Sequence, residues 1–335
     1  MSGLLAVALL WVAFKGVSWG DFWTGLKACD WGWVVVSMVV SGGVCLLRGW
    51  RWKMLLRPID RSTKLLTCFN AVNISYVASM AIPRIGELVR CGYITKRSRM
   101  SPDGVHKLAS YDKVLGTVVV ERGFDASMLV VLMLGILAAL WSRFGSFFSE
   151  KMLMPISDSF SLNIVWLVGV IFAGIAVFIW AVWRFREKSG FCMKVWGFVL
   201  GIWKGITQSF KMKSWPKFLL VTVAIWVSYW ITSECIILAV QGIDASLLPA
   251  GVAEDLAGLD IVDALFLMFV GGLSSLVPVP GGFGAFHYLV SLALSTMYGI
   301  PTEVGVIFAT LSHESMAATE IILGALSYGY ETIKK

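Results

Sequence analysis

Nine apolar runs separated by short charged segments constrain this chain more than any other feature. Several are about 20 residues long, enough for a helix to cross the roughly 30 Å hydrocarbon core of a bilayer. The runs lie at 3–19, 31–47, 65–82, 114–141, 162–183, 218–240, 265–277, 283–297 and 304–328. Of these, 65–82 is marginal in length, and 265–277 and 283–297 are too short for a full span. The pattern predicts one all-α domain over residues 1–335, a polytopic transmembrane helix bundle.

The composition excludes a large soluble domain. Hydrophobic residues make up 58% of the chain and charged residues 15%, against about 25% charged in a soluble domain. The six cysteines form no CxxC pair and no Cys/His cluster, so no metal centre is predicted. The motifs HExxH, GxSxG, GxGxxG and the P-loop are absent from the sequence. We therefore expect no catalytic residue, no cofactor and no enzymatic activity.

Lysine and arginine are concentrated in four regions, which the positive-inside rule assigns to the cytoplasm. These regions hold 23 of the 28 basic residues and lie at 48–64, 84–113, 184–217 and 334–335. Residues 241–263 carry five acids and no basic residue, so they belong outside. We predict a protein of the bacterial inner membrane with both termini in the cytoplasm. Because membrane topology accounts for the basic bias, no nucleic-acid partner is expected.

Two segments return to the side of the membrane from which they enter. Basic residues flank 65–95, which is too short for two spans of about 20 residues each. It predicts a re-entrant helical hairpin that enters from the cytoplasm and turns near Pro83 and Arg84. Residues 265–297 predict a second hairpin, which enters from outside and turns at 277–284. Two opposed hairpins are typical of inverted-repeat transporters, whose substrate site lies where the tips meet.

Residues 184–217 combine eight basic residues with seven aromatic ones. This mixture predicts one or two amphipathic helices that lie on the anionic inner leaflet. A loop with aromatic anchors is the alternative.

The run from Pro83 to Arg90 places charge inside apolar surroundings. Charges at membrane depth are costly and usually face a partner, a cavity or a substrate. On a helix Arg84, Glu87 and Arg90 share a face, where Glu87 pairs with either arginine. The remaining guanidinium suits the phosphate oxygens of a lipid headgroup. An internal ion-pair clamp that only holds the hairpin tip is the alternative.

Glu121, Arg122 and Asp125 form a second charged group inside a long apolar helix. Glu121 and Asp125 are spaced i,i+4 and share a face, and Arg122 reaches Asp125 at i+3. Their net negative charge predicts either pairing with Arg84 or Arg90 across the bundle or attraction of a cationic headgroup.

Prolines and glycines interrupt the second hairpin at its tip, where Gly281, Gly282 and Gly284 follow Pro280. Proline removes a hydrogen-bond donor and glycine permits positive φ, so a continuous helix is excluded. The helix that restarts near Gly284 presents free backbone N–H groups, which predicts an anion-binding site. A simple loop between two short helices is the alternative.

Further titratable residues lie in apolar segments towards the C-terminus: Glu234, His287, His313 and Glu314. Each predicts either a proton or ion relay or a satisfied interhelical hydrogen bond. An acid inside the membrane, such as Glu234, favours the relay.

Four short motifs occur in an order that resembles a known family. They are RGWRW at 48–52, PRIGELVR at 83–90, ERGFD at 121–125 and PGGFG at 280–284. Together they resemble the flippase-like proteins of the lysylphosphatidylglycerol synthase transmembrane-region family over essentially the whole chain. In the best-known members this region is fused to a soluble aminoacyl transferase and moves aminoacylated phosphatidylglycerol to the outer leaflet. This chain resembles the membrane part alone, so the resemblance implies lipid transfer without the synthase reaction.

Two positions depart from the family pattern. The family often has glutamate three residues after the last glycine of Gly-Gly-x-Gly, where this chain has His287. It often has arginine in the last helix near the position of His313. If these positions pair as acid and base, histidine replaces both here. That predicts a pH-sensitive site with an altered charge preference, since histidine titrates near neutrality.

The combined interpretation is a lipid translocase that moves a phospholipid or a lipid-linked headgroup between leaflets. Its predicted substrate-binding residues are Arg84, Glu87, Arg90, Glu121, Arg122, Asp125, Gly281, Gly282, Gly284 and His287. The predicted ion-coupling residues are Glu234, His313 and Glu314. The expected partners are membrane lipids with an anionic headgroup, together with a separate lipid-modifying enzyme. The alternatives are a proton- or ion-coupled transporter of a small solute and a non-transporting protein that presents lipid to another enzyme.

Overall fold

A computed structural model describes residues 2–100, 104, 107–153, 162–187 and 189–333. The described residues form helices and no β-strand, which confirms the predicted all-α fold class. The α-helices are α1 (Ser2–Phe14), α2 (Trp19–Ala28), α3 (Trp31–Leu56), α4 (Leu65–Ala81), α5 (Ile85–Arg97), α6 (Tyr111–Phe147), α7 (Leu162–Phe185), α8 (Gly190–Ser209), α9 (Trp215–Gln241), α10 (Val252–Ala257), α11 (Ile261–Leu273), α12 (Ala285–Tyr298) and α13 (Thr302–Ile333). The predicted cytoplasmic residues Lys334 and Lys335 lie outside the described part of the chain.

Four of the described helices, α3, α6, α9 and α13, are long and apolar enough to cross a membrane. Helices α1 and α2 pass the same test as a pair, although they meet at 85°. Large apolar side chains cover the outer surface; Val39 on α3 is 71% exposed and Leu220 on α9 is 69% exposed. Such a surface suits lipid, because a soluble protein rarely exposes extended apolar patches to water.

The first apolar run does not form the single helix to residue 19 that the sequence predicts. Helix α1 ends at Phe14, and Gly16 adopts a φ of +85°, which turns the chain out of the helix. Ser18 then caps α2, because its side-chain oxygen accepts a hydrogen bond from the backbone N–H of Asp21. Helix α1 is therefore too short to cross a bilayer alone.

The second apolar run extends further than predicted. Helix α3 does not end near residue 47 but continues to Leu56, and Pro58 follows two residues later. A proline has no backbone N–H with which to continue the helical hydrogen bonds, so the helix ends just before it. Arg48 and Arg51, counted above in a cytoplasmic loop, consequently project from a helix into the fold.

Helices α4 and α5 form an antiparallel hairpin. Near the turn, the backbone N–H of Gly86 donates to Ser79 Oγ at 3.2 Å. At the open end, the carboxylate of Glu331 on α13 accepts hydrogen bonds from Asn70 of α4 and from Arg97 of α5. The depth of this hairpin in a membrane stays a prediction.

Helices α11 and α12 form a second antiparallel hairpin. At the open end, Asp263 of α11 accepts a hydrogen bond from the hydroxyl of Tyr298 on α12 at 2.6 Å. Arg143 of α6 pairs with the same carboxylate, also at 2.6 Å. Near the turn, a methyl group added to Gly271 would lie 2.5 Å from the ring of Phe286, so the two helices are in close contact. The re-entrant position of this hairpin also stays a prediction.

The turns of the two hairpins lie side by side. The 3₁₀ turn Pro280–Gly282 contacts α4. A methyl group added to Gly281 would lie 3.6 Å from Cγ of Met80, near the end of α4. The structure therefore brings together the two chain reversals that the sequence places far apart.

Helix α8 lies within the predicted amphipathic segment 184–217 and packs on α6 through glycines. A methyl group on Gly116 would lie 2.3 Å from the carbonyl oxygen of Ile202, and one on Gly205 would lie 2.1 Å from that of Lys113. Aromatic side chains such as Phe191 lie exposed on α8. Its placement on a membrane surface stays a prediction, and Lys188 lies outside the described residues.

Asp60 ties the loop after α3 to the end of α5. Its buried carboxylate accepts hydrogen bonds from the backbone N–H and hydroxyl of Ser62, from the hydroxyl of Ser98 and from the backbone N–H of Arg99. Burial alone would raise the pKa of Asp60, but these hydrogen bonds outweigh burial and lower the pKa.

We expect Asp60→Asn to reduce the free energy of unfolding by roughly 1–3 kcal/mol at pH 7. A carboxylate with a lowered folded-state pKa stabilises the fold above its unfolded-state pKa of about 4, and this contribution disappears as the pH falls further. Thermal unfolding in detergent at pH 7 and near pH 3 measures the effect. The difference from wild type should shrink at the lower pH, whereas the control Asp255→Asn, at an exposed carboxylate in the first turn of α10, should behave like wild type at both. A difference that does not depend on pH would contradict this assignment.

Candidate functional site

Seven charged side chains from α3, α5 and α6 form one connected group, here called the arginine–carboxylate cluster. Neighbouring members are joined by N–O distances of 2.7–3.6 Å. The members are Arg48, Arg51, Glu87, Arg90, Glu121, Arg122 and Asp125. Four arginines and three carboxylates leave one net positive charge in the cluster.

Glu121 is the centre of this cluster. One carboxylate oxygen pairs with Arg51 at 3.2 Å and the other pairs with Arg90 at 2.8 Å. All three side chains are almost fully buried, and the Arg90 guanidinium also lies over the ring of Trp52 at 4.6 Å. Because a buried charge needs an opposite charge beside it, Glu121 is what allows both arginines to remain in the interior.

Asp125 forms the second centre. It pairs with Arg48 at 3.0 Å, with Arg51 at 2.7 Å and with Arg122 at 3.6 Å. The i,i+3 spacing of Arg48 and Arg51 on α3 matches the i,i+4 spacing of Glu121 and Asp125 on α6. Two helix faces of opposite charge therefore meet along one line of contact.

Some hydrogen-bond donors of the cluster are unused. Nε of Arg51, and Nε and Nη2 of Arg90, are buried and have no acceptor among the described residues. On the α9 side, Nη1 of Arg48 donates to the hydroxyl of Tyr229 at 2.9 Å. Tyr229 borders a cavity of about 10 Å³, which also touches Glu320 and has about the volume that one water molecule needs. The cluster thus has more donors than acceptors.

The predicted arrangement of Arg84, Glu87 and Arg90 is wrong in two respects. Glu87 pairs with Arg122 at 2.7 Å and with neither of the two arginines on its own segment. Arg84 does not share a helix face with Arg90, because it precedes the first turn of α5 with a φ of 61°. Arg90 instead pairs with Glu121, which is one of the alternatives that the sequence left open.

Arg84 differs from every arginine of the cluster. It is exposed, and it forms no ion pair with any residue that the structure describes. Within that part of the chain, it is the only residue other than glycine with a positive φ. A strained backbone of this kind is often kept where it serves function. Arg84 comes shortly after Met80 in the sequence, and Met80 lies beside Gly281 in the turn of the second hairpin. Arg84 is therefore at the tip of the first hairpin, close to the turn of the second.

The sequence interpretation missed Arg48 and Arg51 as site residues. Both were counted as loop charges, because the apolar run ends just before them. A usable signal was present, since the RGWRW motif places two arginines at i,i+3 with no proline before Pro58. Extending α3 through this motif would have predicted a charged helix face.

A second group of titratable side chains lies where α12 and α13 meet. Glu314 Oε1 is 3.0 Å from Nδ1 of His313 and 3.5 Å from Nε2 of His287. Nε2 of His313 lies 2.9 Å from the carbonyl oxygen of Gly281, which links α13 to the turn of the second hairpin. The structure therefore brings His287, His313 and Glu314 together, as well as the glycine turn.

Glu234 and Gly284 have different surroundings. Oε2 of Glu234 is buried with no partner among the described residues, and no hydrogen bond joins Glu234 to the histidine group. A methyl group on Gly284 would lie 2.6 Å from the carbonyl oxygen of Ala6. The backbone of α1, and not open space, therefore faces Gly284 at the start of α12.

The fold and this site define an integral membrane protein, a helix bundle with a buried arginine–carboxylate cluster beside two adjoining hairpin turns. The family model described as the lysylphosphatidylglycerol synthase TM region matches residues 1–324. The chain belongs to this family, which confirms the resemblance found in the motifs and indicates the lipid-modification or flippase class of membrane protein. No curated protein and no solved structure matches the chain.

Proposed function

We propose that this protein is a lipid translocase that binds the phosphate of an anionic phospholipid at Arg84 and moves its headgroup between leaflets. One observation carries this proposal: Arg84 is an exposed guanidinium at the meeting point of the two hairpin turns, with no ion pair among the described residues. A guanidinium presents a planar fork of donors that matches phosphate oxygens. The ion-paired arginines of the arginine–carboxylate cluster would hold the tip of the first hairpin in place and keep the surroundings of Arg84 positively charged.

A second basic region supports an entry point for the headgroup. A cavity of about 220 Å³ lies at the far end of α5 and is lined by Lys64, Arg97 and Arg99 together with the hydroxyls of Ser62 and Thr63. Helix α5 has 13 residues, so about 20 Å separates this cavity from the hairpin tip. A lipid phosphate would bind first in the cavity and then at Arg84, with the helix face of α5 between them.

The proposal includes an orientation and a partner. The basic segments support a bacterial inner-membrane protein with cytoplasmic termini, in which the cavity beside Lys64 faces the inner leaflet. Lipid transfer needs no bond to be made or broken, so the protein itself would not be an enzyme. A separate lipid-modifying enzyme would then supply the headgroup that is moved.

We expect Arg84→Ala to slow the exchange of phosphatidylglycerol between leaflets at least about tenfold, because a hydrogen bond to a charged group contributes roughly 1.5–3 kcal/mol. Proteoliposomes that contain fluorescent phosphatidylglycerol and a membrane-impermeant quencher report the rate. Arg84→Lys should keep part of the activity, since it retains the charge but loses the planar fork.

Arg57→Ala is the matched control, because Arg57 is also exposed but lies at the end of α3 outside the cluster. Its exchange rate should equal that of wild type at the same thermal stability. An unchanged rate in Arg84→Ala would remove the assigned role of this arginine. Wild-type vesicles that exchange lipid no faster than protein-free vesicles would contradict the translocase function itself.

A further inference from the structure

We propose that His287, His313 and Glu314 bind a divalent transition-metal ion of the zinc type. One ligand atom from each residue can be chosen so that all three lie within 4.8 Å of one another. The two histidines are 2% and 3% exposed, whereas the Glu314 side chain is 40% exposed. This departs from the sequence prediction of no metal centre, because the residues belong to two helices that only the fold brings together.

The hydrogen bonds of His313 favour a cation between its ring and an ionised Glu314. Nε2 of His313 lies 2.9 Å from the carbonyl oxygen of Gly281, which only accepts, so Nε2 carries the hydrogen and donates it. In a neutral imidazole the other nitrogen, Nδ1, then has a lone pair. It faces Oε1 of Glu314 at 3.0 Å, and an ionised carboxylate also only accepts. A positive charge between the two removes this conflict.

His287 distinguishes a metal ion from a proton as that charge. Its Nε2 lies 3.5 Å from the same oxygen of Glu314, and its Nδ1 is buried without a partner among the described residues. A proton on His313 would satisfy only the pair of atoms that His313 and Glu314 form, and would leave His287 with the longer contact of 3.5 Å. A metal ion accepts a lone pair from both imidazoles and from the carboxylate at once.

The spacing of the ligand atoms fits zinc. Zinc binds histidine nitrogen at about 2.0–2.1 Å and carboxylate oxygen at about 2.0–2.2 Å, usually with tetrahedral geometry. Tetrahedral ligands at such lengths are about 3.4 Å apart. The two nitrogen–oxygen distances here are 3.0 and 3.5 Å. All three ligand atoms lie within 4.8 Å of one another, so a small inward shift of the imidazoles on binding would complete the site. The bond from His313 to the Gly281 carbonyl is the outer contact that orients a metal-binding imidazole. Magnesium and calcium prefer sites built from oxygen.

Three protein ligands leave a fourth position open. The exposed part of Glu314 gives access to this position, which a water molecule or an anionic oxygen would fill. The bound ion would also join α12 and α13 to the turn Pro280–Gly282 through His313. Metal binding here is independent of the translocase function, since the same three ligands are present whatever the protein carries.

The full chain, purified in detergent and stripped with a chelator, tests the proposal. After dialysis against a small excess of ZnCl₂, elemental analysis should find about one zinc ion per chain and no retained magnesium. The Tm should rise with zinc concentration, because a ligand that binds only the folded state stabilises it. Cobalt as a probe should give the intense visible absorption of a tetrahedral site.

Single substitutions assign the ligands. His287→Gln and Glu314→Gln should each weaken zinc binding at least about 100-fold, since the loss of an outer partner alone weakens metal sites about 10–100-fold. Glu303→Gln, in the first turn of α13, is the matched control and should bind zinc as wild type does. If Glu314→Gln fails to fold, His287→Gln provides the same comparison.

Two results would overturn the metal site. One is a wild-type chain that retains no zinc, and the other is equal zinc affinity in wild type and His287→Gln. The alternative is an ion pair between protonated His313 and Glu314 with no metal ion. In that case the Tm of the wild type would not respond to zinc. Glu314→Gln would then lower the Tm by the same amount with and without zinc. That pattern also overturns the proposal.

Discussion

Replacing Glu121 by glutamine should lower the free energy of unfolding by about 3–5 kcal/mol, because removal of one partner from a buried ion pair leaves the other charge uncompensated. Glutamine has nearly the same shape, so the loss comes from charge and not from a cavity. Two guanidinium groups, those of Arg51 and Arg90, would be left almost fully buried. We expect a much lower yield of folded protein and a large drop in Tm, measured by size exclusion after heating in detergent.

Glu87→Gln is the matched control for this result. Glu87 also pairs with an arginine, but its side chain is 27% exposed and that of Arg122 is 43% exposed. Partly exposed pairs contribute less than about 1 kcal/mol, so the control should remain close to wild type. A second substitution, Arg90→Met, should restore part of the stability lost in Glu121→Gln, since it removes the cation that loses its ion-pair partner, whereas Arg51 still pairs with Asp125. Equal effects of Glu121→Gln and Glu87→Gln would show that burial of the cluster does not matter.

Gly86→Ala should push apart α4 and α5, the two helices of the first hairpin. A methyl group at Gly86 would lie 1.9 Å from the backbone carbonyl oxygen of Ser75 and 2.4 Å from Ser79 Oγ. A backbone atom cannot move aside as a flexible side chain can, so α5 must shift away from α4. Overpacking of a close contact typically costs about 1–3 kcal/mol and sometimes more, and this contact is shorter than any normal carbon–oxygen approach. We expect a loss at the upper end of that range.

Gly92→Ala provides the comparison on the same helix. A methyl group at Gly92 would lie 4.0 Å from the ring of Tyr111, which is an ordinary contact. Alanine favours a helix over glycine by roughly 0.5–1 kcal/mol, so this variant should be slightly more stable than wild type. The two variants should therefore change Tm in opposite directions. A similar loss of stability in both would mean that glycine flexibility, and not close packing, matters in α5.

Hydropathy predicted the helices well, and errors occurred where a local signal ended a helix or failed to end one. Gly16 and Ser18 stop α1 and start α2 inside one apolar run, because a positive φ and a side-chain cap act locally. In α3 the apolar run ends before the helix does, since an arginine-rich helix can continue when its charges find partners. Hydropathy indicates whether a segment lies in lipid or in water, whereas the local backbone conformation sets where its helix begins and ends.

The candidate site was predicted only in part. The charged residues of α5 and α6 were identified, because charge in an apolar segment is visible in a sequence. Their pairing was not, since Glu87 and Glu121 are both within reach of several arginines and only the helix positions select among them. Arg48 and Arg51 were missed for the same reason as the end of α3.

The amino-acid sequence by itself determined that the chain is a membrane helix bundle. It also placed the two helical hairpins and the charged residues near the turn of the first one. Apolar runs, prolines and glycines act over a few residues, so they can be interpreted without knowledge of the fold. Only the tertiary structure decided that Glu121 neutralises Arg90, that Arg84 has no ion pair among the described residues, and that His287 lies beside His313. These are contacts between helices distant in sequence, and an ion pair or a metal site depends on separations of a few ångströms that the packing of the helices sets.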